Sequence, residues 1–394
     1  MKEIISYILV AAFVFSCLSA CKSLPEGSGA IPEANSALDI EELYPRESVV
    51  PLLSNLKWHG HIIGNENNPS PLTLLHFSDI HGDKERLNRV MTFYNLYHEY
   101  FDDIIHTGDA VLTCYENGME WWDECGAGIV LNICGNHDTW TGDKGAGGAK
   151  PWNTGYSSKA GFERYIKPYM GTWKIDGYLD NGMCWYKDYQ SQRIRMIAVD
   201  NYHFNERVIL KDGNMSDVYP SDNWPVDKGQ QLEWFRAVLD DASAKGLSVI
   251  CLAHAPYDVD PIPSSFMTLT PSHEKGLQTE LIGAVQKFMD QGGEFITWLV
   301  GHNHQDWFGV IKGYPRQLLI SIDTARDLRQ DGTTWSNNTK PDGTKAMDCF
   351  NVFNVDPFNK YIILHRFGSE YDKFGRHIGE LVYDYRNMQL IWNR

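Results

Sequence analysis

"IVLNICGNHDTW", residues 129–140, runs from an apolar segment through Gly135 straight into an amide, an imidazole and a carboxylate. A short apolar run closed by a turn residue has the character of a strand buried on both faces. The polar trio that follows without a spacer marks where such a strand delivers its chemistry. Four further segments repeat the arrangement: "LTLLHF" (72–77) leads to Asp79, "DIIH" (103–106) to Asp109, "LSVICLA" (247–253) to His254 and "FITWLV" (295–300) to His302. Between the first two, "KERLNRVMTFYNLYHEYF" sets Leu87, Val90, Met91, Tyr94, Tyr97 and Phe101 at helical spacing. Segment 228–245 puts Leu232, Phe235, Val238 and Leu239 on one face, and Gly246 is its expected stop. Strands alternating with helices predict an α/β fold. In such folds, ligand-binding groups gather at the carboxyl ends of the strands.

The chain has 394 residues, is 43% apolar and carries a formal net charge of −16. That length and composition describe a globular protein with a large core. The acidic balance disfavours a nucleic-acid polymer as partner, because such binding is driven by Lys and Arg against phosphates. A small phosphorylated substrate stays open, since local cations override a global field.

The N-terminus reads as a targeting segment: Lys2, an apolar run over residues 4–15, then small residues. The run is too short to span a bilayer and fits a signal sequence. Leu18-Ser19-Ala20-Cys21 resembles the lipobox of bacterial lipoproteins, which implies lipidation of Cys21 and anchoring in the bacterial cell envelope, periplasmic or at the outer surface. Six other cysteines remain besides Cys17, at 114, 125, 134, 184, 251 and 349. Cys114 and Cys125 are the nearest loop-borne couple, Cys134 and Cys251 are expected as buried thiols, and the absence of CxxC argues against a Cys-based zinc site.

The polar groups after the strands form a constellation. Asp79-Ile80-His81 places a carboxylate and an imidazole two residues apart, on one side of an extended backbone. Gly108-Asp109 sets a carboxylate beyond a residue that permits close approach, and a carboxylate can bridge two cations. Gly135-Asn136 offers a neutral amide oxygen, and Gly301-His302-Asn303-His304 two imidazoles on a tight turn. Two sets result: Asp79, His81, Asp109 and His304 for one metal, and Asp109, Asn136, His254 and His302 for the other. Mixed N/O ligation suits Mn, Zn or Fe. Two carboxylates against two divalent ions leave a net positive centre, which attracts a phosphate and activates a bridging hydroxide for in-line attack.

The ordered set D-x-H, G-D, G-N-H-D, H and G-H-x-H resembles that of the calcineurin-like metallophosphoesterase superfamily, from Asp79 to His304. The resemblance implies a four-layer αββα sandwich of two mixed sheets, with a dimetal centre at the strand ends and the ligands just named. It also implies that His137 contacts the phosphate and protonates the leaving group, oriented by Asp138. Purple acid phosphatases are similar but carry a Tyr three residues after the bridging Asp and a Glu after the GNH. Leu112 and Asp138 stand there, so no tyrosinate–iron centre is expected. The GHxH ending looks more like class III cyclic-nucleotide phosphodiesterases and 5′-nucleotidase-type enzymes, without assigning a substrate.

The resulting organisation is a signal at 1–21, a tether at 22–45, a phosphoesterase domain at 46–340 with an aromatic-rich insertion at about 139–225, and a β-rich segment at 341–394 completing the domain. The glycine-rich run 142–150 is neither a Walker loop nor GxGxxG and is expected beside the site. His76 and His106 are expected as structural neighbours of the site. The rival reading is a non-catalytic, metal-binding envelope lipoprotein acting as a binding or scaffold module.

Overall fold

The computed structural model describes residues 40–63, 70–111, 120–139, 161–180, 182–201, 228–266, 277–325, 344–371 and 377–393. Cys21 and its signal-like segment, Leu112, Cys114, the run 142–150, Trp152, Tyr156 and the stretch 202–225 lie outside the described residues.

In chain order, β1 (Leu72–Phe77), β2 (Asp103–His106) and β3 (Leu131–Asn132) come first. A middle block follows: β4 (Gly177–Tyr178), β5 (Trp185–Tyr189), β6 (Ile194–Ala198), β7 (Ser248–Leu252), β8 (Val259–Pro261), β9 (Phe295–Val300), β10 (Trp307–Ile311) and β11 (Tyr314–Ser321). β12 (Cys349–Asp356), β13 (Tyr361–Gly368), β14 (Glu380–Asp384) and β15 (Gln389–Asn393) come last. The middle block builds an eight-stranded sheet in the order β4-β5-β6-β7-β9-β11-β10-β8. The first and last blocks share a seven-stranded sheet, β15-β14-β13-β12-β1-β2-β3. Both sheets are mixed. β1, β2 and β3 run parallel, and β12 pairs antiparallel to β1 with Leu72 opposite Val355. β6, β7, β9 and β11 are likewise parallel.

Helices flank both sheets. α1 (Arg46–Ile63) packs on β1 and β12. α2 (Lys84–Tyr97) starts at Asp83, whose side chain accepts the Arg86 N–H at 3.1 Å and satisfies a donor that the first turn leaves orphaned. α3 (Lys228–Lys245) packs on β7 and on α4 (Thr279–Asp290), and Gly246 ends α3 at φ 62°. Period-two alternation explains why these strands read as unbroken apolar runs. In β7, Ile250 and Leu252 join the core between the sheets, whereas Val249 and Cys251 join the core under the helices. Each side chain has an apolar layer to enter, so no position selects for polarity.

Three details differ from the sequence reading. The strand expected over 129–134 is only Leu131–Asn132, because Gly126 at φ 70° enters a 3₁₀ turn over Ala127–Ile129. On α2 it is Phe93, not Tyr94, that is fully buried. Residues 177–198, inside the stretch expected as an insertion, form β4, β5 and β6 of the second sheet. Their pattern was masked by Lys187, Asp188 and Arg195, which sit among apolar residues because Arg195 and Asp188 pair through two bonds of 2.6 and 2.8 Å. Cys125, Cys134, Cys184, Cys251 and Cys349 are buried free thiols.

α2 is tied to the start of β12 by a buried fork. Arg89 donates from Nε and Nη2 to the two Asp348 oxygens at 2.7 and 2.8 Å, and the Tyr44 hydroxyl donates to the same carboxylate at 2.9 Å. Removing one partner leaves a buried charge uncompensated, so Arg89→Met is expected to lower the unfolding free energy by about 3–5 kcal/mol. Urea denaturation checks this; a loss near that of an exposed pair, below about 1 kcal/mol, would contradict it.

Candidate metal centre

The parallel strands of the two sheets end at one edge, and their following turns interlock. The Asp79, His81 and Gly82 N–H groups donate to the carbonyls of Gly108, Asp109 and Ala110 at 3.0, 2.9 and 2.8 Å, which extends the β1–β2 pairing beyond both strands. Across the sheets, the His302 N–H donates to Asp79 Oδ2 at 3.0 Å, and within the eight-stranded sheet the Gly301 N–H donates to the His254 carbonyl at 2.9 Å. Asp79, His81, Asp109, Asn136, His137, His254, His302 and His304 are thereby brought together. Within 4.8 Å lie three overlapping trios of possible ligand atoms: Asp79, His81 and His304; His81, Asp109 and His137; and Asp109, His254 and His302.

Of the nine non-glycine residues described with positive φ, five are candidate ligands: Asp79 (55°), His81 (48°), Asp109 (59°), His302 (69°) and His304 (51°). Such backbone costs about 1–3 kcal/mol per residue and persists where the surroundings over-determine it. The Asp-x-His pair therefore shares a direction for a different reason from the extended strand expected. Both residues are left-handed, in the turn after β1. Two glycines make the crowding possible. A Cβ on Gly108, at φ 97°, would strike the His254 ring, and one on Gly135 would strike the Asp109 carboxylate.

Hydrogen bonds at the rear of the cluster aim its lone pairs inward. His254 Nδ1 lies 2.6 Å from the Thr107 carbonyl oxygen, which can only accept, so Nδ1 carries the proton. His254 Nε2 then faces Asp109 Oδ2 at 3.2 Å and Asn136 Oδ1 at 3.2 Å. His302 Nδ1 meets the same Asn136 oxygen at 3.0 Å, and His81 Nε2 meets His304 Nε2 at 3.0 Å. Asp79 Oδ1 faces His304, His81 and His254 at 3.3, 3.8 and 3.9 Å. Acceptors crowded in this way need positive charge between them, which a proton or a divalent ion supplies. The His and Asp donors fit a binuclear divalent metal site.

The electrostatics agree. Burial works against the charged form of His254, but Asp109, Asp79 and the Thr107 carbonyl together outweigh it and push the pKa up to about 9. Burial also opposes ionisation of Asp79 and Asp109, yet His304 and His254 hold Asp79, and His254 and His137 hold Asp109, well below the usual carboxylate range. Burial, reinforced by His137, holds His81 well below the ordinary imidazole value. Asp109 uses its oxygens separately: Oδ1 accepts the His137 backbone N–H at 2.8 Å, so Oδ2 is the atom turned to the cluster.

Asp138 does not orient the His137 ring as the family pattern implied. Its Oδ2 accepts the N–H groups of Asp109 and Gly135 at 2.9 and 2.8 Å, and Oδ1 that of Val111 at 3.0 Å. It clamps the Asp109 turn to the Asn136 turn. Burial pushes its carboxyl up to about 7, the Asp109 charge adding to the shift and the Gly135 and Val111 N–H groups opposing it. His76 and His106 sit behind the site, bonded to the Thr107 hydroxyl at 3.0 Å and Asn132 Oδ1 at 2.7 Å. Burial lowers their pKa values to about 3 and about 4.

Sequence reasoning missed two contributors. Asn201, after β6, accepts the His254 N–H at 3.2 Å, and Thr324, after β11, donates its hydroxyl to the Asp79 carbonyl at 2.7 Å. The signal was present, since "IAVDN" and "LLISIDT" are also apolar runs ending in polar residues.

The calcineurin-like phosphoesterase family model matches residues 72–306. No curated protein matches the chain. Among solved structures, a dimetal phosphatase from Danio rerio is similar at 10% identity and TM-score 0.45, covering 80% of this chain and 99% of that one. GAP50, the anchor in the inner membrane complex of Plasmodium, is similar at 14% identity and TM-score 0.43, covering 82% and 90%. At these scores neither likeness bears on the chemistry.

Asp138→Asn separates a clamp from an orienting group. The amide must turn an N–H toward a backbone N–H, stranding at least one buried donor at a cost of about 1–3 kcal/mol. The variant is expected to lose stability and bind metal more weakly, as thermal unfolding and metal analysis would register. Native metal content with only turnover reduced would restore the orienting role.

Proposed function

The chain belongs to the calcineurin-like phosphoesterase family, and we propose that its interlocked turns form a two-metal centre hydrolysing a phosphomonoester or phosphodiester. The observation that carries this reading is the overlap of the three trios through His81 and Asp109, whose shared donors support two adjacent ion positions. Asp79, His81, Asp109 and His304 would hold one ion. Asp109, Asn136, His254 and His302 would hold the other. The donor set suits Mn, Zn or Fe. When bound, the ions supply Lewis-acid polarisation of the phosphoryl oxygens and lower the pKa of a water so that it can attack.

The protein's own groups divide the remaining work. Asp109 is the donor the two sets share: its Oδ2 lies 3.2 Å from His254 Nε2, and one of its oxygens lies within 4.8 Å of a His81 ring nitrogen. His137 stands edge-on to His81, ring centres 4.7 Å apart, and is half-buried, so substrate can reach its ring from solvent. A proton on that ring can pass to the departing oxygen. Its backbone N–H donates to Asp109 Oδ1, so replacing the side chain leaves that bond intact. The motif at Leu18 to Cys21 supports a second part of the proposal, a lipid tether at Cys21 that keeps the enzyme at the bacterial envelope.

Metal analysis alongside hydrolysis of p-nitrophenyl phosphate and bis-p-nitrophenyl phosphate tests the reading. Asp109→Asn is expected to lose both ions and all turnover. His137→Asn is expected to keep both ions and lose about 10²–10⁴-fold in turnover. That loss should be larger on phenyl phosphate, whose poorer leaving group has more need of the proton. Two bound metals with no phosphoester hydrolysed at any pH would favour a metal-binding envelope module instead.

A further inference from the structure

We propose that Thr324 and Arg366 are positioning residues that set the metal affinity of the centre, through a buried chain of bonds from β13 to the Asp79 and His302–His304 turns. The inference rests on the two-metal reading above. Arg366 and Thr324 both lie beyond residues 72–306, the stretch that the family model matches.

The chain closes on itself. Arg366 is 1% exposed. It donates from Nε to Asn351 Oδ1 at 2.7 Å, and from Nη1 to Cys349 Sγ at 3.1 Å and the Ser369 carbonyl at 3.3 Å. Its Nη2 pairs with Asp306 Oδ1, on a fully buried carboxylate two residues past His304. The same Asp306 oxygen accepts the Asp323 N–H at 3.1 Å. Thr324, next in sequence, donates its hydroxyl to the Asp79 carbonyl at 2.7 Å, and the Ala325 N–H donates to the Ser78 carbonyl at 2.9 Å. Asp79 Oδ2 accepts the His302 N–H at 3.0 Å, which returns the circuit to the turn that Asp306 ends.

Three residues on this circuit, Asp79, His302 and His304, have left-handed backbone at φ 55°, 69° and 51°. Such conformations relax unless neighbours over-determine them. The Thr324 hydroxyl does so for Asp79 at its carbonyl and the His302 N–H at its carboxylate. Arg366 does so for the turn, because Asp306 stays buried only while a cation faces it. Shortening that cation to Lys keeps the charge but loses the fork that reaches Asn351 and Asp306 together. Partners behind metal ligands typically change metal affinity or activity by about 10- to 100-fold when removed.

Arg195 provides the contrast. It is a buried guanidinium forked onto Asp188 at 2.6 and 2.8 Å, but it faces α3, donating to the Val238 carbonyl at 2.8 Å. A role confined to packing would make Arg195→Lys and Arg366→Lys behave alike.

The test is titration of the metal-free full chain with Mn²⁺ alone, alongside thermal unfolding of the same samples. Thr324→Val, which keeps the side-chain shape and removes the donor, is expected to bind Mn²⁺ about 10- to 100-fold more weakly, with its apo unfolding midpoint lowered only as far as one lost buried hydrogen bond requires. Arg366→Lys should weaken Mn²⁺ binding similarly, and Arg195→Lys should lower the midpoint while keeping native affinity. Thr324→Val and Arg366→Lys both within about two-fold of the native affinity would overturn the proposal. If Arg366→Lys does not fold, Thr324→Val decides alone. A native chain that binds Mn²⁺ but hydrolyses no ester removes the phosphoesterase reading and leaves the affinity comparison standing. One that binds neither Mn²⁺ nor Zn²⁺ removes both.

Discussion

Two carboxylates, Asp79 and Asp109, are shut away from water at 0% and 1% exposure, and the turns around them are shaped by the need to hold that charge. An uncompensated buried carboxylate costs several kcal/mol even after the protein relaxes. The compensation at hand is imidazole. Burial opposes the charge on His254, but Asp109, Asp79 and the Thr107 carbonyl together push its pKa up to about 9, which favours a proton where a divalent ion would sit. A metal and a proton would compete for that place, and loading the centre would release protons.

That constraint accounts for the backbone. Side chains from five turns reach one small volume only if their Cα atoms come unusually close, and left-handed φ at Asp79, His81, Asp109, His302 and His304 is how the chain turns them inward. The strain is held by bonds to atoms that are not candidate ligands. Asp138 clamps three backbone N–H groups, the Thr107 carbonyl fixes the His254 tautomer, and the Thr324 hydroxyl fixes Asp79. The candidate ligands are thus gripped from behind by groups that leave their inward atoms available.

This division explains what could be read from the sequence. The apolar runs at β1, β2, β7 and β9 were legible because burial on both faces removes the polar half of the usual alternation. The candidate ligands were legible because each follows such a run directly. β5 and β6 were not, since Asp188 and Arg195 neutralise each other only after the strands pair side by side. Asp138 was misread for a related reason: its sequence neighbour is His137, but its bonds go to Asp109, Gly135 and Val111. Arg366 and Asp306 lie 60 positions apart, and nothing local to either announces the other.

The choice of an amide at position 136 follows from the same charge balance. Asn136 Oδ1 sits 3.2 Å from His254 Nε2 and 3.0 Å from His302 Nδ1, where a third carboxylate would fit sterically. With an aspartate there, three negative charges would face two divalent ions, and the surplus positive charge available to a phosphate would fall by half. The amide supplies a lone pair without that loss. The −16 net charge of the whole chain does not cancel the surplus, because at physiological ionic strength fields are screened over about 8 Å. A phosphoryl group at the turns would respond to the local centre, whereas a long polyanion would also meet the net negative charge of the rest of the chain. In the two-metal reading, neutral ligation at Asn136 and the chain's acidic balance would therefore act in the same direction, toward small phosphoesters and away from nucleic-acid chains.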